Sequence, residues 1–315
     1  MKFGLATLLL YAALAGCGGG AGVAPSATQS TPVPAASVQP NPTAPSDISI
    51  TSTAAVSVAT TTVAASTAIL GGTLVWADEF NVDGLPDSTK WAYDTARNSA
   101  GWYNNELQYY SNARLQNSAV SNGALAIIAK KEKLSSASDY GNQNYTSARL
   151  ITQGKFSFTY GFVEVRAKLP CGIGTWPAIW TLGTDPVGWP ANGEIDIMEQ
   201  KGFSAVDKSI VLGALHMPAF HGGNPKSNSI SVSDACTAFH KYQLTWTADK
   251  IQIGVDDVIY HVYDNPKTGD RTKWPFDKPQ YLLLNVAMGG DLGGPVPSTF
   301  SSDQMEIDYV RVYQK

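Results

Sequence analysis

The chain of 315 residues carries 22 Lys and Arg against 26 Asp and Glu, a formal net charge of −4, and only 15% of its residues are charged. A mildly acidic balance with no basic run excludes nucleic acid as a partner. There is no His-Glu-x-x-His pair, no phosphate-cradling Gly loop and no Cys pair at zinc spacing, so metallohydrolase and nucleotide chemistry find no support.

The chain begins with Lys2 and an apolar run from Leu5 to Leu14 that ends in Leu14-Ala15-Gly16-Cys17. The run is too short to span a bilayer. A small-residue box directly before a cysteine is the pattern of a bacterial lipoprotein signal, with residues 1–16 removed and Cys17 acylated. Ala13-Leu14-Ala15 also fits an ordinary signal-peptidase site, which makes simple secretion the alternative. The expected location is the cell envelope, at the surface or outer membrane, with membrane contact only through lipid at Cys17. Residues 17–72 are mostly Ala, Thr, Ser, Pro and Val, with Asp47 as the single charge and no aromatic residue. Such a segment cannot bury enough surface to offset its ordering entropy, so a disordered linker is expected there.

Residues 73–315 hold every Trp and all Tyr but Tyr11, enough for one well-cored domain. Its elements read almost wholly as strands. Asn122-Gly123 marks a turn, and Ala124 to Ala129 is an all-apolar run suited to a strand buried on both faces. Phe162 to Leu169 alternates with period two, which puts Glu164 and Arg166 on one face, where a cross-strand ion-pair ladder is the plain reading. Asn192-Gly193 and Gly222-Gly223-Asn224 are further turn signals. His216, in Ala214-Leu215-His216-Met217, is by default a packed strand histidine, and Trp246 in Tyr242-Gln243-Leu244-Thr245-Trp246 belongs to the core. Asp308 to Tyr313 alternates again. Many short antiparallel strands without intervening helices imply an all-β sandwich.

The run Gly193-Glu194-Ile195-Asp196-Ile197-Met198-Glu199 is the informative one. As a strand it points Glu194 and Asp196 the same way and Glu199 the other. A one-residue bulge at Ile197 or Met198 would bring all three acids to one face. Like charges so close cannot all ionise cheaply, so at least one is held protonated. Glu199 is then the acid, Glu194 the nucleophile and Asp196 the group between them that positions one and keeps a proton on the other. The bland alternative is an edge strand with a solvated acidic face.

This run resembles glycoside hydrolase family 16, and within it the laminarinase-like endo-1,3-β-glucanases. So do Trp102-Tyr103-Asn104-Asn105-Glu106-Leu107-Gln108-Tyr109-Tyr110, Gly174-Thr175-Trp176-Pro177-Ala178-Ile179-Trp180, Tyr160 to Arg166, Leu284 to Gly290 and Met305 to Tyr313. The resemblance covers about residues 73 to 315. It implies a concanavalin A-like β-jelly roll with a concave cleft, and retaining endo-hydrolysis of β-1,3-glucan with no cofactor needed for the chemistry. The family form E-x-D-x-x-E assigns Glu194 as nucleophile, Asp196 as assisting acid and Glu199 as general acid/base; the extra residue before the last Glu matches the bulged branch. Phe162 departs from the family, which often has Arg there. The resemblance also directs Trp102, Trp176, Trp180, Trp189, Asn105 and, more weakly, Arg149 to the substrate. It sets the Glu164-x-Arg166 pair along the glycone side of the cleft and His216 near the scissile bond, and it suggests structural Ca²⁺ at Asp308 with oxygens near Glu79 and Gly123.

With Cys17 acylated, Cys171 and Cys236 remain, and an even pair in an exported domain suggests a disulfide; two buried thiols are the alternative. A monomer is expected. Two rival functions are a mixed-linkage 1,3-1,4-β-glucan or marine galactan hydrolase of the same family, and a non-catalytic carbohydrate-binding jelly roll.

Overall fold

A computed structural model of the protein describes residues 72–315. The expected signal peptide over 1–16, the acylation of Cys17 and the linker up to residue 71 lie outside the described residues. In chain order the strands are β1 (Thr73–Asp78), β2 (Ala92–Tyr93), β3 (Gln108–Tyr110), β4 (Ser118–Ser121), β5 (Ala124–Lys130), β6 (Tyr145–Ser147), β7 (Arg149–Ile151), β8 (Gly161–Lys168) and β9 (Thr175–Gly183). There follow β10 (Glu194–Gln200), β11 (Ile210–His216), β12 (Lys226–Ser231), β13 (His240–Trp246), β14 (Lys250–Val255), β15 (Val258–Asp264), β16 (Gln280–Met288), the one-turn helix α1 (Gly290–Gly293) and β17 (Ser302–Gln314).

These strands make two sheets. The larger runs β15-β14-β13-β8-β17-β5-β6-β3, with β1 added to β17 and β4 to β5; the smaller runs β12-β11-β10-β9-β16-β7-β2. Pairing is antiparallel except between β3 and β6. Between the sheets lies a single apolar layer in which Val163, Val165, Tyr242, Leu244, Trp246, Val310 and Val312 meet Ile179, Ile195, Ile197, Leu282, Leu284 and Val286. Trp246 is fully buried, and its indole N–H donates to the Phe276 carbonyl at 3.0 Å, so the polar end of the ring is satisfied inside the core. β16 is buried along its whole length: Leu282, Leu284 and Val286 face the other sheet, while Tyr281 and Leu283 form a second small cluster with Ile151 on the opposite face. The sandwich of the sequence reading is therefore the fold, with β10 and its acidic run in the small sheet.

Local chemistry explains the joints. Asn122 (φ 53°) and Gly123 (φ 76°) both occupy the left-handed region between the paired ends Ser121 and Ala124, the two-residue hairpin turn that Asn-Gly favours. Cys171 and Cys236 are disulfide-bonded across 5.2 Å between Cα atoms, tying the end of β8 to the approach of β13.

Two expectations need correction. β5 is not buried on both faces: Leu125, Ile127 and Ala129 are at zero exposure, while Ala124, Ala126, Ile128 and Lys130 are half-covered, because only one side of the large sheet has a second sheet against it. Glu164 and Arg166 are not in a cleft with the acids. They alternate with the core residues Val163, Val165 and Ala167 and so project from the outer face of the large sheet. There Glu164 accepts from Gln243 at 2.7 Å and from the Tyr309 hydroxyl at 2.8 Å, and Arg166 pairs with Asp308 at 2.5 Å. The cross-strand ladder is the arrangement found.

Candidate active site

β10 carries the acids, and its register shows how. Between Asp196 and Glu199 the strand advances three residues while β11 advances two, since Asp196 pairs with Ala214 and Glu199 with Leu212. On the other side Asp196 faces Trp180 and Met198 faces Ile179, so one extra residue is accommodated there as well. Ile195, Ile197 and the consecutive Met198 all enter the core at zero exposure. Two successive inward residues are the mark of a bulge, and they leave Glu194, Asp196 and Glu199 together on the opposite face.

His216 stands opposite Glu194 in the ladder. Its Nε2 lies 3.4 Å from Asp196 Oδ2 and 3.8 Å from Glu194 Oε1. Nδ1 accepts the Gly222 backbone N–H at 3.2 Å, so the neutral ring carries its proton on Nε2, aimed at the carboxylates. Asp196 Oδ2 is buried with no hydrogen-bond partner of its own.

On β9, Trp176 donates its indole N–H to Glu199 Oε1 at 2.9 Å, and Trp180 donates to Asn285 Oδ1 at 2.8 Å. Asn285 passes the contact on to the Tyr110 hydroxyl at 3.1 Å. The Arg149 guanidinium sits between two indoles, 4.7 Å from the Trp180 ring centre and 5.1 Å from that of Trp102, and pairs with Asp94 at 3.2 Å. Trp102 itself is buried, with its N–H on Asn98 and its ring edge-on to Tyr110 at 4.7 Å. Trp189 is 49% exposed and lies 5.9 Å from the His216 ring, which suits a platform for a sugar face. Asn105 spends its amide on Asp291 at 2.8 Å, tying the segment before β3 to α1.

Burial pushes Glu194, Asp196 and Glu199 each up to about 8. After burial, the charge of Asp196 is the next largest cause raising both glutamates; His216 opposes it at Glu194, and the Trp176 N–H opposes it at Glu199. The three acids titrate as a unit that retains protons at neutral pH. Such a site offers a protonated carboxyl and a carboxylate on one open face.

Sequence reasoning missed three contributors. Glu106 is a fourth carboxyl whose pKa burial raises; it accepts from Gln108 at 2.7 Å and adds its field to Glu199. Asn285 and Tyr110 complete the chain behind Trp180. The available signal was a lone amide in the apolar run of β16, on the same face as Tyr281 and Leu283. The calcium reading fits poorly as a carboxylate cage, because Glu79 is gripped by Arg311 through two contacts of 2.8 Å and Asp308 by Arg166. Gly123 sits in its hairpin turn, where the Asn122 N–H donates to Asp83 Oδ1 at 3.2 Å.

The family model for glycosyl hydrolases family 16 matches residues 105–311. A beta-glucanase from Rhodothermus marinus is 45% identical over 254 residues, spanning 76% of this chain and 85% of that protein. Among solved structures, SCLam, a non-specific endo-β-1,3(4)-glucanase from the same family, superimposes with a TM-score of 0.74 at 51% identity, covering 77% of this chain and 91% of its own. The laminarinase from Rhodothermus marinus gives 0.71 at 44% identity, covering 77% and 97%.

Proposed function

Since this chain belongs to glycoside hydrolase family 16, we propose that it cleaves internal linkages of a β-1,3-glucan of the laminarin type with retention of anomeric configuration. The observation that carries the mechanism is the β10 bulge, which sets Glu194 and Glu199 on one face with Asp196 between them. Glu199, kept protonated by burial and by Asp196, donates to the departing glycosidic oxygen while Glu194 attacks the anomeric carbon to form a glycosyl ester. Glu199, now ionised, takes a proton from water, and the hydroxide so generated attacks the anomeric carbon and releases Glu194. His216 supports the ionised form of Glu194. Trp176, Trp180, Trp189, Arg149 and Asn105 line or brace the face on which the glucan lies. The two-carboxylate cycle uses no cofactor.

Proton NMR during early hydrolysis of laminarin tests this: the β-anomer appears first and the α-anomer later by mutarotation. An initial α product means that water stood between the carboxyls, and the nucleophile role of Glu194 falls. Sugar release from laminarin, mixed-linkage glucan, agarose and carrageenan separates the substrate alternatives. Two relatives named above act, by their names, on β-glucan, and among the described residues no Arg or Lys cluster adjoins the acids to receive sulfate, which favours glucan over a sulfated galactan.

Three further proposals concern the whole protein. Acylation at Cys17 anchors it to the envelope; Cys17→Ser should then move it from the detergent-soluble membrane fraction to the freely soluble one, and a wild-type protein already soluble and starting at Gly16 points to ordinary secretion. It acts as a monomer, checked by light scattering. Any bound Ca²⁺ is held by Asp308 with oxygens near Glu79 and Gly123, and chelation should lower the unfolding temperature without changing kcat.

A further inference from the structure

Lys208 is a buried ammonium outside the acid cluster. It lies in a single 3₁₀ turn, Asp207–Ser209, is 4% exposed, and donates to the Thr175 carbonyl at 2.8 Å, to Thr175 Oγ1 at 2.6 Å and to Gln200 Oε1 at 3.2 Å. Gln200 Nε2 returns a bond to the Lys208 carbonyl at 2.6 Å. All three acceptors are neutral. A cation buried on neutral oxygens is costly, and an apolar side chain would fill the same space at less expense. Burial draws its pKa down to about 7 against the pull of Asp303 and Asp207, which is a measure of that cost.

What the ammonium holds is informative. Thr175 directly precedes Trp176, and Gln200 directly follows Glu199, the two residues joined by the 2.9 Å indole bond. The β9–β10 ladder ends at the pair of Glu199 with Ala178, so Trp176 and Thr175 lie beyond the last paired residue. Backbone contact resumes at the Gly174 N–H on the Gly202 carbonyl, 2.9 Å. Packing is tight there: a Cβ on Gly202 would stand 2.5 Å from the Thr175 oxygen. Lys208 spans the gap between the two strands.

We propose that Lys208 is a positioning residue for the acid/base, bracing Thr175 against Gln200 so that the Trp176 indole N–H stays on Glu199. This rests on the acid/base role of Glu199, which fails separately if Glu199→Gln turns over like wild type. The groups whose charge or hydrogen bond couples to Glu199 are Asp196 and Glu194 on its own strand, His216 on β11, Glu106 before β3, Trp176 on β9 and, from the core side, Tyr260 on β15. Of these, Trp176 is the one Lys208 can move.

The test is a double-mutant cycle in the full chain with Lys208→Met and Trp176→Phe, reading kcat and KM on laminarin across pH. Lys208→Met should lower kcat roughly tenfold with KM little changed, the worth of one hydrogen bond to a charged group. The alkaline limb should move to higher pH, because the indole N–H is the larger of the two influences, with His216, that lower the Glu199 pKa. Added to Trp176→Phe, the same change should cost less than about twofold. Full loss persisting in the Trp176→Phe background would mean that Lys208 acts by its charge or by general packing and would overturn the proposal, as would a folded Lys208→Met with wild-type kcat and limb. If Lys208→Met does not fold, Thr175→Val removes one acceptor at similar volume. An alkaline limb unmoved in that variant also overturns it.

Discussion

Replacing Asp196 by Asn removes the charge that, after burial, most raises Glu194 and Glu199. Across the bulge Asp196 and Glu199 face residues two apart on β11, roughly 7 Å, where two unit charges interact by about 2.4 kcal/mol at an effective dielectric of 20, or about 1.7 pH units. Asp196 is itself pushed up to about 8, so it is mostly protonated at neutral pH and half ionised near the alkaline limb. The sign follows: a neutral neighbour lowers the Glu199 pKa, and the acid is lost at lower pH. The alkaline limb of the kcat profile should therefore move down by about one unit, while the acid limb, where Asp196 is already protonated, moves much less. The limiting kcat should fall by roughly 10- to 100-fold, because Asp196 supports bond changes without making them. Initial rates on laminarin across pH, with circular dichroism to confirm folding, provide the assay. An alkaline limb that stays fixed or moves up would refute the coupling between Asp196 and Glu199.

Glu194→Gln and Glu199→Gln should each lose about 10³-fold or more in kcat while unfolding like wild type, and azide should rescue the corresponding Ala variants through a glycosyl azide product; wild-type turnover in either Gln variant ends the assignment. Arg166→Ala should leave KM and kcat unchanged and cost no more than about 1 kcal/mol in denaturant unfolding, since its pair with Asp308 lies on the outer sheet; a raised KM would restore it to the substrate path. Cys171→Ser with Cys236→Ser opens a loop of sequence separation 65, worth about 4 kcal/mol in the chain-entropy model, and should lower the unfolding free energy with activity retained at 25 °C. Trp246→Ala should cost about 3 to 5 kcal/mol, read by urea titration, because it empties a core site and strands the Phe276 carbonyl.

Much of this site was legible in the chain. The spacing of Glu194, Asp196 and Glu199 requires a bulge if the acids are to cooperate, and the register of β10 contains one. The alternation around Trp246 located the core correctly because side-chain period is a local property. Glu164 and Arg166 were misplaced for the complementary reason: period two tells which residues share a face, but which face fronts the acids depends on the sheet β8 joins, and that is settled by pairing with β13 and β17 far along the chain. The both-faces burial expected for β5 failed likewise, since an all-apolar run does not reveal whether anything packs on its second side. The proton position on His216 depends on the Gly222 amide six residues away, and the raised pKa of Glu106 on its burial, against the Gln108 hydrogen bond and the Arg149 charge; neither has a pattern in one dimension.

The acid strand lies third from one edge of its sheet, with β11 and β12 on one side and β9, β16, β7 and β2 on the other. Amides paired on both sides in the middle of a sheet exchange with solvent chiefly when the whole domain opens, whereas edge strands such as β12 and β2 can fray alone. The three carboxyls of β10 are thus mounted on backbone among the last to let go. On heating, hydrolysis should persist until the global transition and vanish with it, and deuterium uptake at Ile195, Asp196 and Glu199, which are paired with both neighbours, should trail that of the edges throughout.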